Sequence, residues 1–270
     1  MEKGQESLEP PNIISVLHHY FPESGVVDFL HHAELPLFSA VAVLGLVTVA
    51  RIASRNPTLV PGNAQNAVEA MVDTLDQFVV GVMGSVGRKF TPFVGTLFLY
   101  ILTMNLMGII PGMRSPTSSI NTTIALAIVV FFYVQYTGLR SLGIIGYLDH
   151  LAGTPRPKGV AGYLICLISV PFNLVIHISG ELTKPLSLSV RLFGNIFGED
   201  VLIGQMLVLG ILALSFIDSP VGIPLQLPFY LLAILTSVIQ AVVFSLLSVI
   251  YLFLMLPHHE EQGHNQAEEN

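Results

Sequence analysis

Ionisable and polar side chains recur between residues 177 and 200, within a stretch that is otherwise apolar. Steps of three, four and seven residues separate most of them, and such steps bring side chains to one face of an α-helix. A charged group inside a membrane span is costly unless it meets water or a partner, so these residues are candidates for function. We call the set the polar stripe; it comprises His177, Glu181, Lys184, Arg191, Asn195 and Glu199, with Ser187 in the gap.

Arg191 is the member of the polar stripe whose charge is permanent, because a guanidinium does not deprotonate in proteins. It cannot carry a proton, but it can displace one from an approaching carboxylic acid by lowering the pKa of that acid. Ser187 and Asn195 stand one turn before and after it, where a structural arginine would have an acid. The next apolar segment, residues 219–257, contains no Asp, Glu, Lys or Arg. The pattern therefore indicates that the carboxylate partner of Arg191 lies on another protein.

Other polar residues have simpler explanations beside a role in proton transfer. Glu181 and Lys184 can form an ordinary ion pair within one helix. His177 can be an interior or interfacial histidine, and Asp200 can face water or lipid headgroups. Gln240, in the following apolar segment, can join two helices by hydrogen bonding.

Paired histidines at positions 18–19, 31–32 and 258–259 raise the question of a metal site. Adjacent side chains point to different sides of a helix or strand, and no Cys or Asp at ligand spacing accompanies them, so neither a metal nor another cofactor is predicted. The chain has no glycine-rich phosphate loop and no catalytic triad motif, which argues against ATP chemistry in this chain. Cys166, the sole cysteine, can form neither an internal disulfide nor a cysteine metal cluster.

The composition is that of an all-α integral membrane protein. Of 270 residues, 52% are hydrophobic and 11% are charged, whereas a soluble domain carries about a quarter charged residues. Six of the eighteen acids lie in residues 1–34 and four in residues 258–270, so neither end resembles a nucleic-acid-binding surface. The polar start lacks a basic segment before an apolar one, and we expect an uncleaved first span rather than a signal peptide.

Five segments of a helical membrane domain, residues 35–257, are predicted to cross the bilayer: 35–54, 93–111, 121–139, 160–217 and 222–256. Residues 61–90 place Glu69, Asp73 and Asp76 opposite apolar residues at three- and four-residue spacings, which predicts an amphipathic helix at the cytoplasmic interface. The last two segments are too long to stand upright in a hydrocarbon core of about 30 Å. We therefore expect them to form a long, inclined helical hairpin.

Basic residues predict the orientation. Arg51, Arg55, Arg140, Arg156 and Lys158 follow or precede alternate spans, and cytoplasmic loops carry an excess of such residues. This places the polar N-terminal segment 1–34 outside and the tail 258–270 in the cytoplasm, in what we interpret as a bacterial plasma membrane.

Several runs resemble the a subunits of F-type ATP synthases. The resemblance extends over about residues 30–256, and its central run is highly specific. The runs are KPLSLSVRLFGN at 184–195, MNLMGIIP at 104–111, IQA at 239–241 and VIYL at 249–252.

The resemblance implies a non-catalytic, proton-conducting stator subunit lying against a ring of c subunits. Its other partners would be peripheral-stalk b subunits, the remainder of the ATP synthase and membrane lipid. Arg191 would be the essential arginine that faces the ring carboxylates, and two half-channels would couple proton flow to ring rotation. The outer path would use Asn195, Glu199 or Asp200, and Gln240, and the cytoplasmic path Ser187, Glu181 and His177.

Two positions depart from the family pattern. Where some relatives carry His or Glu seven residues before the final-helix Gln, this chain has Ala233. The usual acidic position nine residues after the arginine is Asp200, but Glu199 stands beside it, so either acid could relay protons.

A secondary transporter that binds an anion at Arg191 would require an internal repeat and its own acid partner, and neither is found. A purely structural scaffold would leave a polar stripe centred on an unpaired arginine unexplained.

Overall fold

The computed structural model describes residues 12–21, 24–55, 62–152, 160–213 and 223–256. Within these ranges the regular secondary structure is helical throughout, with no strand, which confirms the all-α prediction. The tail 258–270 and the basic residues Arg156 and Lys158 lie outside the described residues.

Two short helices precede the first long one: α1 covers Ile13–Tyr20 and α2 covers Gly25–His32. Asn12 caps α1 by accepting a hydrogen bond from the Ser15 backbone N–H at 2.7 Å. The Asn12 side-chain amide donates to the buried carboxylate of Glu34 at 2.7 Å. The described part of the N-terminal segment, which the sequence predicts only as polar, is therefore helical and bonded to the start of the membrane domain.

Helix α3, Glu34–Ser54, is followed by α4, Asn63–Met83, a 3-10 helix over Gly84–Phe90, and α5, Thr91–Met107. Gly84 has φ of 69°, a left-handed conformation that glycine adopts at little cost, and it ends α4. Leu75, Val79 and Met83 form the buried face of α4 at four-residue steps. Leu75 and Val79 belong to the apolar face that the spacing predicts, whereas Met83 does not. That face is formed by Val68, Met71, Val72, Leu75, Phe78, Val79 and Val82, and Val72 is 49% exposed.

Helix α6 extends from Ile120 to Ala152, beyond the crossing predicted over 121–139. No proline lies between Arg140 and Gly143, so the helix continues past Arg140 as far as Gly143. Gly143 has φ of 71° and ψ of 170°, which divides α6 into two helical pieces. The second piece returns Tyr147 to the first, where its hydroxyl donates to the side-chain oxygen of Gln135.

Helices α7, Val160–Leu212, and α8, Leu227–Leu254, form an antiparallel hairpin. The Ile223 backbone N–H donates to the Gly210 carbonyl oxygen at 3.0 Å, and farther from the turn Asn195 contacts Gln240. The crossing predicted over 222–256 is helical only from Leu227, because residues 223–226 form turns and Pro228 fits the first helical turn. The end of the crossing predicted over 160–217 lies partly outside the described residues.

Within the described residues, five helical segments are long and apolar enough to cross a membrane, the number predicted from the sequence: Glu34–Ser54, Asn63–Met107, Ile120–Tyr147, Val170–Leu212 and Leu227–Leu254. The second of them includes α4, which the sequence analysis predicts at the cytoplasmic interface and not as a crossing. With 53 residues, α7 would reach about 80 Å at 1.5 Å per residue. That length exceeds a hydrocarbon core of about 30 Å, so α7 does not fit upright within it. Its inclination to the membrane stays a prediction.

One hydrophobic core joins α5, α6, α7 and α8, and α3 and α4 also contribute buried residues to it. Fully buried side chains of the first four helices include Ile101, Val130, Leu192, Ile196 and Phe244. On α7, Leu188, Leu192 and Ile196 recur every four residues and face this core, while the polar stripe lies beside them on the same helix. The core therefore fixes the rotation of α7 and with it the direction in which the polar stripe faces.

Candidate functional site

Arg191 lies exposed on α7, midway along the face that carries the polar stripe. Its neighbour Leu192 is fully buried in the core, which holds the backbone at this position. Within the part of the chain that the structure describes, the Arg191 guanidinium forms no hydrogen bond and no ion pair with a carboxylate. Tyr251 on α8 is near enough to interact with it electrostatically. Arg191 thus presents a permanent positive charge away from its own subunit.

Before Arg191 in the chain, a polar cluster joins α6, α7 and α8. Glu181 accepts a hydrogen bond from the Gln135 side-chain amide at 2.9 Å and an ion-paired hydrogen bond from Lys184. The Lys184 ammonium also lies 5.4 Å from the centre of the Tyr251 ring. We call Gln135, Glu181, Lys184, Tyr147 and Tyr251 the inner cluster. The ion pair considered from sequence is formed, but it is one part of a hydrogen-bonded set reaching two other helices.

His177 and Ser187, the other residues assigned to this side by the resemblance, are exposed on α7. His177 lies one turn before Glu181 and Ser187 one turn before Arg191. Both therefore extend the polar stripe along the helix surface, on either side of the inner cluster.

After Arg191 in the chain, polar contacts connect α7 with α8. The Asn195 side-chain amide donates to Gln240 Oε1 at 2.7 Å. Gln240 is buried, and its own Nε2 has no hydrogen-bond partner among the described residues. Since a buried amide without a partner is costly, this donor is available to water or to a proton carrier.

Glu199 and Asp200 are adjacent in sequence but face different surroundings. Glu199 lines a cavity of about 200 Å³ between α7 and α8, together with Asn195 and Thr236. Glu199 Oε2 is buried and has no hydrogen-bond partner within the described chain. Asp200 is 7% exposed and faces α5: a methyl group built on Gly108 would lie 3.4 Å from Asp200 Oδ1. The two acids therefore occupy separate environments.

A buried network of hydroxyl and amide groups adjoins Asp200, and the sequence reasoning missed it. Thr117 Oγ1 donates to Asn105 Oδ1 at 2.6 Å, and the hydroxyls of Ser115 and Thr117 share a hydrogen bond of 2.7 Å. Asn105 Nδ2 lies 3.5 Å from the Ser237 carbonyl oxygen on α8. Asn105 belongs to the run at 104–111 that resembles the family. Ser115 and Thr117 lie in a loop, where no periodic spacing predicts which side chains come together. Their hydrogen bonds depend on how the loop packs between α5 and α7.

Ala233, where some relatives carry an ionisable residue, is fully buried on α8 and adds no polar group to this region.

The N-terminal histidines lie apart from the polar stripe. His18 packs edge-to-face on His31 with ring centres 4.6 Å apart, and Asp28 lies 3.8 Å from His18. Among the described residues no three His, Cys, Asp or Glu side chains are placed to hold a metal ion, and the pair at 258–259 lies outside them.

Chemically, the site is an ordered series along one helix: an acid-containing inner cluster, a permanent cation, and a second set of acids and amides. Glu181, Glu199 and Asp200 can exchange protons, whereas Arg191 cannot. A cation placed between two proton-exchanging groups repels a proton that would pass directly from one to the other. The geometry of the polar stripe suits controlled proton transfer to an external carboxylate.

The sequence of this chain is similar to those of known proteins of one family. A family model described as ATP synthase A chain matches residues 36–253. ATP synthase subunit a of Protochlamydia amoebophila is 41% identical over 262 residues, covering 97% of this chain and 92% of that protein. The corresponding subunit of Solidesulfovibrio magneticus is 39% identical over 82% of this chain and 84% of its own length. That of Moorella thermoacetica is 32% identical over 84% and 94% respectively.

Proposed function

Since this chain belongs to the ATP synthase A chain family, whose members are non-catalytic, proton-translocating subunits of the membrane sector, we propose that it couples proton flow to rotation of a c ring through two offset half-channels. Arg191 is the essential residue and faces the ring carboxylates. The peripheral-stalk b subunits and the surrounding lipid complete its environment. The driving force is about 2.3 kcal/mol per charge for each 100 mV of membrane potential.

The observation that carries this proposal is the isolation of Arg191. An exposed guanidinium in an apolar helical surface requires a counter-charge, and among the described residues none bonds to it. A carboxylate that passes on a neighbouring subunit supplies the counter-charge and loses its proton as it approaches, because the nearby cation lowers its pKa. The permanent charge also prevents protons from crossing between the half-channels without using the ring.

The two polar sets beside Arg191 support a separation into two paths. We assign the inner cluster, with His177 and Ser187, to the cytoplasmic half-channel. Asn195, Gln240, Glu199 and Asp200 belong to the outer half-channel. The basic residues Arg51, Arg55 and Arg140 support the proposed orientation, with the N-terminal segment outside and the tail in the cytoplasm of a bacterial plasma membrane.

Replacement of Arg191 tests the proposal directly. In membrane vesicles containing the intact complex, Arg191→Ala should abolish ATP-driven proton pumping, measured with a pH-sensitive dye. Passive proton leak through the membrane sector should persist or rise, because the barrier between the half-channels is lost. Arg191→Lys should restore little pumping, since an ammonium lacks the planar five-donor fork and can lose its proton when desolvated.

Arg51→Ala is the matched control, because Arg51 is an exposed arginine at the end of α3, away from the polar stripe. It should leave pumping close to that of the unmodified complex. Normal coupled ATP synthesis with Arg191→Ala would refute the proposal at its centre.

A further inference from the structure

A cavity of about 510 Å³ opens between the 3-10 helix Gly84–Phe90 and α6, away from the polar stripe. Lys89 contributes one side of its lining, and Tyr136, Thr137 and Arg140 contribute the other. None of these residues has a part in the proton path proposed above. We call this space the basic cavity.

The basic cavity carries two positive charges and no acid in its lining. Lys89 and Arg140 are both exposed, and neither forms an ion pair with a carboxylate in the described part of the chain. The Lys89 ammonium lies 4.9 Å from the centre of the Phe90 ring, so it is held above an apolar wall. A ligand for this cavity must therefore be anionic.

The wall of the basic cavity is aromatic and held firmly. Tyr133 stacks on Phe93 with ring centres 3.8 Å apart and meets Phe90 edge-on at 6.5 Å. Tyr136, at the rim, is 59% exposed. Tyrosines with an apolar ring and a polar hydroxyl are typical of the level of lipid headgroups.

Two hydroxyl groups of the lining are already used by the protein. Thr137 Oγ1 donates to the Tyr133 carbonyl oxygen at 2.8 Å, and Ser141 Oγ lies 3.2 Å and 3.3 Å from the Gly138 and Met255 carbonyl oxygens. Donors for an anion therefore come from Lys89, Arg140 and the tyrosine hydroxyls. A phosphate has enough acceptor oxygens to engage both cations.

Exposed apolar side chains continue from the basic cavity along α6, on both sides of the break at Gly143. Val129 and Phe132 lie on its membrane-crossing part, at 54% and 65% exposure, and Ile145 follows at 85%. A free phosphate would use the charges but not this surface, whereas the acyl chains of a lipid would cover it. Basic pockets between membrane helices bind anionic lipid headgroups for the same reason.

We propose that the basic cavity binds the phosphate of an anionic phospholipid between Lys89 and Arg140, with its acyl chains along the apolar surface of α6. The lipid belongs to the cytoplasmic leaflet in the orientation proposed above. This site tightens contact between the protein and the bilayer through residues that are not part of the proposed proton path.

The test compares lipid retention by the intact complex after detergent extraction, measured by native mass spectrometry with added phosphatidylglycerol or phosphatidylcholine. The double variant Lys89→Gln, Arg140→Gln should bind phosphatidylglycerol roughly thirtyfold more weakly than the unmodified complex, because two charges are removed. The matched control Arg51→Gln, Arg55→Gln removes two exposed charges predicted to lie on the same side of the membrane and should retain the lipid. Lys89→Arg with Arg140→Lys keeps both charges and should retain most binding.

Four outcomes would overturn the proposal. The first is equal retention of phosphatidylglycerol by the double variant and the control. The second is equal binding of phosphatidylcholine by the unmodified complex, which would mean that the charges are not used. The third is equally strong binding of glycerol phosphate without acyl chains, which would indicate a soluble phosphate. The fourth is loss of another subunit from the double variant with lipid retention unchanged, which would indicate a protein occupant.

Discussion

Arg191, whose charge is permanent, lies on α7 between two acids, Glu181 and Glu199, that can gain or lose a proton. Glu181 is satisfied by Gln135 and Lys184, whereas Glu199 Oε2 has no hydrogen-bond partner in the described chain. The two sides of Arg191 therefore differ in hydrogen bonding: one acid is held by fixed donors and the other is not. This difference suits the proposal that the two acids belong to different half-channels.

Glu199 and Asp200, which the sequence leaves equivalent, can be separated by paired amide substitutions. Glu199 lines the cavity shared with Asn195, so Glu199→Gln should lower ATP-driven proton pumping by roughly 10²-fold, the lower range for loss of a positioned proton-transfer group. Asp200 is buried toward α5, so Asp200→Asn should lower pumping less and should reduce the stability of the complex by about 1–3 kcal/mol. Pumping and thermal unfolding are measured on the same vesicle preparations.

Asn195→Ala is a useful companion, because it removes the contact with Gln240 without changing an acid. If Asp200→Asn abolished pumping while Glu199→Gln left it unchanged, the assignment of the relay to Glu199 would be reversed.

At the scale of residues, the sequence predicted the polar side chains that share one face of α7. It did not predict the hydrogen bonds that join different helices. The periodic spacing identified the polar stripe and its arginine, because helical geometry fixes which residues share a face. The bonds from Gln135 to Glu181 and from Thr117 to Asn105 join residues distant in sequence, for which no local rule exists. Such pairs depend on how the helices pack.

At the scale of elements, the turn between α7 and α8 depends on close backbone approach. A methyl group built on Gly210 would lie 2.1 Å from the Ile223 carbonyl oxygen. Gly180, also within α7, has no atom within 4 Å of the same position. Gly210 is therefore required by close packing against Ile223, whereas no steric contact requires a glycine at position 180.

Gly210→Ala should destabilise the hairpin although alanine favours a helix. The added methyl must displace backbone, which costs typically 1–3 kcal/mol as overpacking, and it disturbs the hydrogen bond from Ile223. Gly180→Ala gains the helix propensity of about 1 kcal/mol with no steric cost. Thermal unfolding of the purified complex should therefore shift downward for the first variant and not for the second. Equal shifts in both would contradict the close approach at Ile223.

The presence of the long helices could be predicted from the sequence, because a long apolar run in a membrane forms a helix. The residues at which the helices begin and end were harder to predict. The extension of α6 past Arg140 and its division at Gly143 follow from a left-handed glycine and from the contact between Tyr147 and Gln135. Neither feature alters the apolar pattern from which the crossing was predicted. The late start of α8 could be anticipated better, since Pro224 and Pro228 restrict the residues before them.

At the scale of the whole molecule, the length of α7 relates its chemistry to the membrane. His177 and Glu199 are separated by about 33 Å along the helix axis at 1.5 Å per residue, comparable with a hydrocarbon core of about 30 Å. Arg191 lies between them. If α7 is inclined as predicted, both ends lie nearer the middle of the membrane, and the two proposed half-channels would bring water to them.

Accessibility from the two sides of the membrane tests this arrangement in the assembled complex. Single cysteines at His177, Glu181, Asn195 and Glu199, in a Cys166→Ser background, are treated with a membrane-impermeant thiol reagent in vesicles of either orientation. Because α7 is entered from the basic side, residues 177 and 181 should react from the cytoplasm and residues 195 and 199 from outside. Phe29→Cys and Arg55→Cys, both at exposed positions, mark the outer and cytoplasmic sides. Reaction of all four test positions from one side, with the markers reporting opposite sides, would exclude two half-channels that meet at Arg191.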